Sequence, residues 1–271
     1  LNGGFGWGNN QAILRLLQSE DVPEAVLLLN PDAQAEPGAI QALVNDMERY
    51  PDAGAIGSQL IDQAGQPSGS AFRFPTIGRE FMRGCGISPI GRALGIEPIV
   101  VPSGEVGPVD WVTGASVLLR TAAIRQSGLF DGGFFLYFEE VELMHRLARC
   151  GWRSYHCPTS RVIHIAGAAT GVVNGHSKGR SSPPTYLFQA RKRFFALTRG
   201  RIGAATAALA WFAGDAVRSL LRLVMPWRIP ARTSSEHLNL LRHGLWAAAK
   251  DIRPAIAWTD QQPGRPPEWM Q

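Results

Sequence analysis

Residues 25–61 read AVLLLNPDAQAEPGAIQALVNDMERYPDAGAIGSQLI, and the change of pattern along them sets the fold class. Residues 24–30 form a short apolar run between Pro23 and the turn residues Asn30, Pro31 and Asp32, the pattern of a strand buried on both faces. Pro37 opens a helical segment to about Tyr50, with Ile40, Leu43, Val44 and Met47 at helical spacing. Residues 55–61 read as a second strand. Strand, helix and strand in series predict parallel pairing in an α/β sheet.

On the N-terminal side, residues 1–10 read LNGGFGWGNN, which suits a turn with close backbone approach ahead of a helix at 11–18. Residues 63–108 are rich in Gly and Pro and weakly periodic, which predicts a long irregular excursion. Strand character returns at 109–119, followed by a short helix at 121–126. Residues 128–158, GLFDGGFFLYFEEVELMHRLARCGWRSYHCP, are the densest in chemistry-bearing side chains. Within and after them, 139–150 reads as an amphipathic helix and 152–156 and 161–165 as short strands.

Past Gly171 the character changes. A Ser/Gly/His/Pro linker at 174–184 leads to helical segments near 186–198, 202–225 and 236–252. The middle one carries Asp215, Arg218 and Arg222 on one face and Leu209, Trp211, Phe212, Leu220, Leu223 and Val224 on the other. The charge divides at the same place. Residues 1–171 hold 12 Lys+Arg against 17 Asp+Glu, and residues 172–271 hold 15 against 5, within a net +5. Two surfaces with different partners are expected. Of the 271 residues 45% are apolar and 18% charged, which excludes a disordered chain. Three cysteines make neither a disulfide framework nor a CxxC metal site, so a reducing cytoplasm is the default. The uncharged run 202–214 is shorter than the roughly 20 residues of a spanning helix.

Several residues suit chemistry. Asp32 follows an apolar strand, where open α/β sheets bind ligands, and its carboxylate suits Mg²⁺ or Mn²⁺; it suits a turn cap equally. Glu139 and Glu140 begin a helix beside an aromatic run, which can raise a carboxyl pKa toward that of a general base; acidic residues complementing the helix dipole read the same way. His164 lies in RVIHIAG, as a core histidine or as the partner of a carboxylate in a divalent site. GGFGWG has neither the preceding strand nor the spacing of a dinucleotide fingerprint.

In order and spacing, NGGFGWGNN, LLLNPDA, DWVTGASVLLR, GLFDGGFFLYFEEVELMHRLARCGW and CPTSRVIHIAG resemble the inverting family 2 glycosyltransferases of GT-A fold, most closely their rhamnosyltransferase-like branch. The resemblance runs from residue 2 to about 171. It implies a GT-A-type, Rossmann-like mixed sheet flanked by helices in 1–171, and leaves 172–271 as a basic helical extension. It also implies strand–helix units ahead of Leu1, carrying the nucleotide base. Asn30-Pro31-Asp32 matches the family's variant of its DxD motif, which assigns Asp32 to metal and diphosphate and Asn30 to substrate. Glu140 falls where the family has an Asp as general base, with Glu139 beside it and Glu142 replacing a further Asp. The extra methylene of Glu140 changes its reach to the acceptor. His164 matches a metal-shell histidine. Trp111, Thr113 and Gly114 match the sugar pocket, and Gly4, Phe5, Asn9 and Asn10 the Gly/Asn loop near the nucleotide-sugar.

The implied partners are a nucleotide-sugar donor such as dTDP-rhamnose and a lipid-linked or glycan acceptor. The basic cluster at 191–201, followed by a helix with Trp211 and Trp227, suits an anionic membrane surface, on the cytoplasmic face in this reading. Helices packed on the catalytic domain, with their arginines in water, would look alike. Nucleic acid is disfavoured because the aromatic residues follow helical spacing and form no stacking platform. The competing function is a catalytically weak relative that binds sugar or membrane in an envelope assembly complex. A nucleotidyltransferase fits less well, for lack of a Gly-rich, Lys-containing triphosphate loop.

Overall fold

The computed structural model describes residues 2–104, 107–165, 172–173, 176–177, 183–229, 234–246 and 252–264. They form two compact units. One comprises Leu1–Phe74, Val100–Thr170 and Pro254–Gln271, and the other Pro75–Ile99 and Gly171–Arg253. The sequential division at 171/172 is therefore interleaved: part of the expected excursion joins the helical unit, and the C-terminal end joins the first.

In the first unit the elements run α1 (Gly4–Leu17), β1 (Ala25–Leu29), β2 (Ala33–Ala35), α2 (Ala39–Arg49), β3 (Ala53–Ile61) and β4 (Ala71–Phe72). In the second, α3 (Ile77–Cys85) and α4 (Ser88–Ala93) occupy the stretch read as irregular. Returning to the first, β5 (Gly107–Val109), β6 (Trp111–Val112), β7 (Ser116–Arg120), α5 (Thr121–Ser127), α6 (Glu139–Arg149) and β8 (Arg153–His164) follow.

Six strands make a mixed sheet in the order β1-β7-β3-β8-β2, with β5 also on β8. The predicted α/β class with helices on the sheet holds. The direct pairing of the first two long strands does not. β7 inserts between β1 and β3 and runs antiparallel to both, so they share a direction without touching, and the parallel pair is β3 with β8. β3 is buried along its whole length, whereas β1 is an edge strand ending at exposed Leu29. The alternation of side chains explains the layers. Val26, Leu28, Val117 and Leu119 pack with α1, α5 and α6, while Leu118 and Ile56 face Leu43 and Met47 of α2. The strands expected at 152–156 and 161–165 are one, β8, with a register irregularity opposite Ser58 and Gln59. The strand expected at 109–119 breaks into β6, a short loop and β7.

α1 starts at Gly4, earlier than the expected 11–18 helix. Glycine disfavours helix by about 1 kcal/mol each, so propensity argued against this turn. Close docking favours it: the Phe5 N–H donates to the Phe135 carbonyl at 3.1 Å, and a Cβ on Gly4 would overlap that oxygen.

In the second unit, α7 (Thr185–Val224) breaks at Gly200, whose φ of 72° separates the two expected helices, and α8 (Ser234–Asn239) runs on into a π-helical Leu240–Trp246. Thr76 caps α3, its hydroxyl accepting from the Arg79 N–H at 3.2 Å. α3 crosses α7 where Gly84 meets the Trp211 carbonyl and Gly214 meets the Phe81 carbonyl, with no room for a Cβ at either. Beside this crossing Glu80 is buried between Arg83, at 3.1 Å, and Arg191, and Arg83 also reaches Glu236 at 3.0 Å. Burial pushes the Arg191 guanidinium down to about 9, partly offset by Glu236. The expected apolar face of the middle segment divides: Trp211 is fully buried, while Leu209, Leu220, Leu223 and Val224 are exposed. No helix of the described residues is long and apolar enough to cross a membrane.

Candidate active site

The Asn30–Asp32 turn closes between β1 and β2. The Ala33 N–H donates to the Asn30 carbonyl at 3.0 Å, and the Ile165 N–H to the Asp32 carbonyl at 3.2 Å. Register does the rest: β2 pairs antiparallel with β8 so that Ala33 lies opposite His164. Asp32 Oδ1 is thereby 3.3 Å from His164 Nε2, with the Asn30 amide 3.5 Å from the same nitrogen. The Asp32 and His164 side chains are largely shielded, 22% and 15% exposed.

About 3 Å is the separation of neighbouring ligands around a divalent ion with bonds near 2.1 Å. A carboxylate oxygen and an imidazole nitrogen suit Mn²⁺, and Mg²⁺ less closely. Among the described residues no three His, Cys, Asp or Glu side chains converge. A cation held by Asp32 and His164 would complete its shell with substrate oxygens and water, as such ions do at phosphate-transfer sites. The residues present therefore fit the ion.

The second group lies at the start of α6. Tyr137 and Phe138 both adopt left-handed backbone, φ 71° and 67°, at a cost of about 1–2 kcal/mol each. Such strain persists where the surroundings enforce it, commonly at functional sites. It delivers Glu139 into a buried position and leaves Glu140 half-buried. Burial pushes the Glu139 carboxyl well above the usual carboxylate range, and the Glu140 charge adds to the shift. Burial raises Glu140 as well, while the backbone N–H groups of Glu140, Val141 and Gly114 pull it back. Each glutamate keeps one buried carboxylate oxygen with no hydrogen-bond partner. A buried unpaired oxygen of this kind is uncommon outside reactive sites.

The two groups meet on one loop. Between β6 and β7, Gly114 lies beside Glu140, and the next carbonyl, of Ala115, accepts from the Asn30 N–H at 2.9 Å. Adjacent Cα atoms are about 3.8 Å apart, so the acidic pair and the Asp32–His164 pair flank one short stretch of backbone. Phe5 joins them: a Cβ on Gly114 would lie 3.0 Å from its ring and 3.8 Å from Glu140 Cβ. Thr113 fixes the loop, its N–H donating to the Ser70 carbonyl at 3.1 Å. Trp111 stacks on Phe72 at 4.2 Å and donates its indole N–H to the Arg73 carbonyl.

Two of the expected ligands also make hydrogen bonds within the fold. Asn10 is buried, its Nδ2 donating to the Phe130 carbonyl at 2.8 Å and its Oδ1 accepting from the Phe130 N–H at 3.0 Å. Asn9 donates to the Phe5 carbonyl one turn back, at 2.9 Å. Gly4 serves the approach of α1 to Phe135.

Sequence reading missed Arg146. Its Nε pairs with Glu142 at 2.7 Å, and its other nitrogens donate to the carbonyls of Ser127, Gly128 and Leu129. This clamp ties α6 to the chain entering the aromatic run. The i,i+4 spacing of Glu142 and Arg146 was the available signal.

No family model matches the chain. Over 204 residues, 70% of this chain and 64% of the relative, it is 31% identical to N-acetylglucosaminyl-diphospho-decaprenol L-rhamnosyltransferase of Mycobacterium tuberculosis. Over 171 residues, 60% of this chain and 61% of the relative, it is 26% identical to rhamnosyltransferase WbbL of Escherichia coli. It thus spans less than two thirds of the length of these relatives. A solved structure of GalNAc-T7 with UDP, GalNAc and Mn²⁺ aligns with 85% of this chain and 46% of its own, at TM-score 0.44 and 12% identity, a likeness too loose to carry an argument.

Proposed function

Because the chain belongs to the rhamnosyltransferase-like branch of the family 2 glycosyltransferases, we propose that it transfers a sugar, L-rhamnose from dTDP-rhamnose, onto a hydroxyl of a lipid-linked or polysaccharide acceptor in cell-envelope glycan synthesis. The observation that carries this reading is the loop at 113–115, which packs Gly114 against Glu140 and receives the N–H of Asn30 on the next carbonyl. A base and a diphosphate-facing carboxylate on either side of one sugar are what a single displacement needs.

Glu140 is the general base. Gly114 packs against its side chain, and when the acceptor binds its carboxylate takes the proton of the acceptor hydroxyl. Its raised pKa makes it a stronger base than an exposed glutamate. As the proton passes to Glu140, the acceptor oxygen bonds the anomeric carbon, the bond to the diphosphate oxygen breaks, and the configuration inverts. Asp32 and His164 would hold Mg²⁺ or Mn²⁺, which when bound would supply positive charge to the leaving diphosphate. Glu139, buried beside Glu140, keeps the pair from carrying two charges at once. Trp111 and Thr113 wall the sugar pocket.

A peripheral position on the cytoplasmic face of a membrane fits the acceptor. Leu220, Leu223, Val224 and Trp227 are exposed near the end of α7, among Arg222 and Arg228.

The test is sugar transfer by the full-length protein with Mn²⁺, across several nucleotide-sugars. Glu140→Gln and Asp32→Ala should each lower transfer by roughly 10²–10⁴-fold. Undiminished transfer in both refutes the assigned roles. Absence of transfer with every donor favours the binding protein of an assembly complex.

A further inference from the structure

Residues 127–133 carry the chain into the aromatic run that ends at Glu139 and Glu140, and three segments hold them. α6 does so through the Arg146 fork, and α1 through Asn10. The third is a strap at 254–264, far along the chain but part of the same unit. It lies antiparallel to 129–132. The Leu129 N–H donates to the Ala257 carbonyl and the Gly132 N–H to the Ala255 carbonyl, both at 2.8 Å, with Asp131 opposite Ile256. Ile256 sits against Gly128, where φ is 78° and a Cβ has no room. Ala257 packs against the main apolar core. The far end of the strap is tied to α1: Gln18 donates to the Gln261 carbonyl at 2.9 Å, and Gln11 accepts from the Gly264 N–H.

Strap and loop meet at Asp131, which is fully buried and turns its two oxygens to different segments. Oδ1 accepts from the Gly133 N–H at 2.7 Å, and Oδ2 from the Ala255 N–H at 3.2 Å. One carboxylate thus fixes both the turn that opens the aromatic run and the strap behind it. A few residues on, Tyr137 and Phe138 hold the left-handed backbone that delivers the two glutamates. At about 1–2 kcal/mol each, such backbone persists only where the surrounding structure enforces it.

We propose that the 254–264 strap is a positioning element for sugar transfer and Asp131 its latch, together setting where Glu140 stands relative to the 113–115 loop. Asp131 acts through Glu140 and is a positioning residue. The inference rests on the reading of Glu140 as the base and gives a remote stretch of chain a part in its work. The Asp32–His164 pair is set by the register of β2 on β8, apart from the strap's hydrogen bonds. A loosened strap therefore slows the chemical step and leaves donor binding in place.

The experiment follows sugar transfer and amide hydrogen exchange in the full-length protein and in Asp131→Ala, Asp131→Asn and Ile256→Ala. Asp131→Ala strands both N–H groups, while asparagine, with one acceptor oxygen, keeps one of them. Exchange at Leu129, Gly132 and Ala255 should quicken in Asp131→Ala. Its kcat should fall by roughly 10–100-fold, as a base misplaced by about 1 Å would cause, with KM for the donor within about twofold of the parent's. Asp131→Asn should fall between. Ile256→Ala loosens the strap without stranding a buried donor, so it keeps the test open should Asp131→Ala not fold; its kcat should drop several-fold. Thr121→Val, which loses the hydroxyl bond to the Pro23 carbonyl elsewhere in the unit, is the control for lost stability and should lower Tm while keeping the parent's kcat. Faster exchange at the strap-bonded amides with kcat unchanged overturns the inference, as does unchanged exchange in Asp131→Ala. So does an equal loss of kcat in Thr121→Val. Glu140→Gln in the same assay tests the base separately. Full transfer by that variant overturns the base and the strap together, whereas its loss beside fully active strap variants overturns the strap alone.

Discussion

Asn10→Ala separates a structural clamp from a nucleotide-sugar ligand. In the parent, the Asn10 amide closes a two-way pair with the Phe130 backbone, 2.8 Å to the carbonyl and 3.0 Å from the N–H, in a site where Asn10 is 2% exposed. Alanine leaves both backbone groups buried without partners. At about 1–3 kcal/mol for each stranded group, the loss is roughly 2–6 kcal/mol. That is a large part of the 5–15 kcal/mol typical of a folded protein. At about 2–4 °C per kcal/mol for a chain of this size class, a loss near 3 kcal/mol lowers Tm by roughly 6–12 °C. Calorimetry reads the shift, and hydrogen exchange at the Phe130 amide localises it. The Michaelis constant for the nucleotide-sugar, taken well below the new Tm, should stay close to the parent's, since the Asn10 amide oxygen is already occupied. Asn9→Ala, which loses one bond on a helix turn, should cost no more than about 1.5 kcal/mol. An Asn10→Ala protein that melts with the parent but binds the donor poorly would refute the clamp and restore the ligand.

Glu139→Gln tests the buried acidic pair through pH. The folded pKa of Glu139 lies above its unfolded value near 4.3, so the native state binds more protons than the unfolded one across that window. Parental stability therefore falls as pH rises through it. The variant, which cannot ionise, should match the parent near pH 4 and exceed it increasingly at higher pH, read by urea unfolding; a constant difference would contradict the burial. Arg146→Ala should cost about 3–5 kcal/mol, because Glu142 stays buried without its guanidinium while three carbonyls lose a donor. Chemical denaturation should show a smaller loss in Arg146→Met/Glu142→Gln, which removes both charges. Gly214→Ala should destabilise the helical unit by about 1–3 kcal/mol, since its Cβ meets the Phe81 carbonyl; limited proteolysis at 75–99 and in α7 would report it.

Much of the fold was legible because period and punctuation are local. The apolar run at 25–29, the helix at 39–49 and the strand at 53–61 follow from side-chain alternation and turn residues alone. Asp32, His164 and the Glu139–Glu140 pair stood out by their neighbours in sequence, but their roles were implied only by the resemblance of the surrounding motifs to a family. Pairing was not legible. β7 separates β1 from β3 although 54 residues of sequence and two helices of another unit intervene between β3 and β7, and no local pattern records which strands meet. Gly4 and Gly84 looked like loop residues because propensity weighs them alone, whereas close contact with backbone of another segment demands them.

What the sequence by itself determined was therefore the inventory: an α/β chain with oxygen and nitrogen donors after one strand, carboxylates at one helix start, and basic charge gathered past residue 171. Only the tertiary structure decided which of these residues act together. Antiparallel register carries His164 to Asp32, and the 113–115 loop packs against Glu140 and hydrogen-bonds Asn30. The tertiary structure also withdrew Asn10 into the framework. The physical reason is range. Propensity and periodicity act over a few residues, while hydrogen-bond partners, burial and the pKa shifts they cause depend on contacts between segments a hundred residues apart.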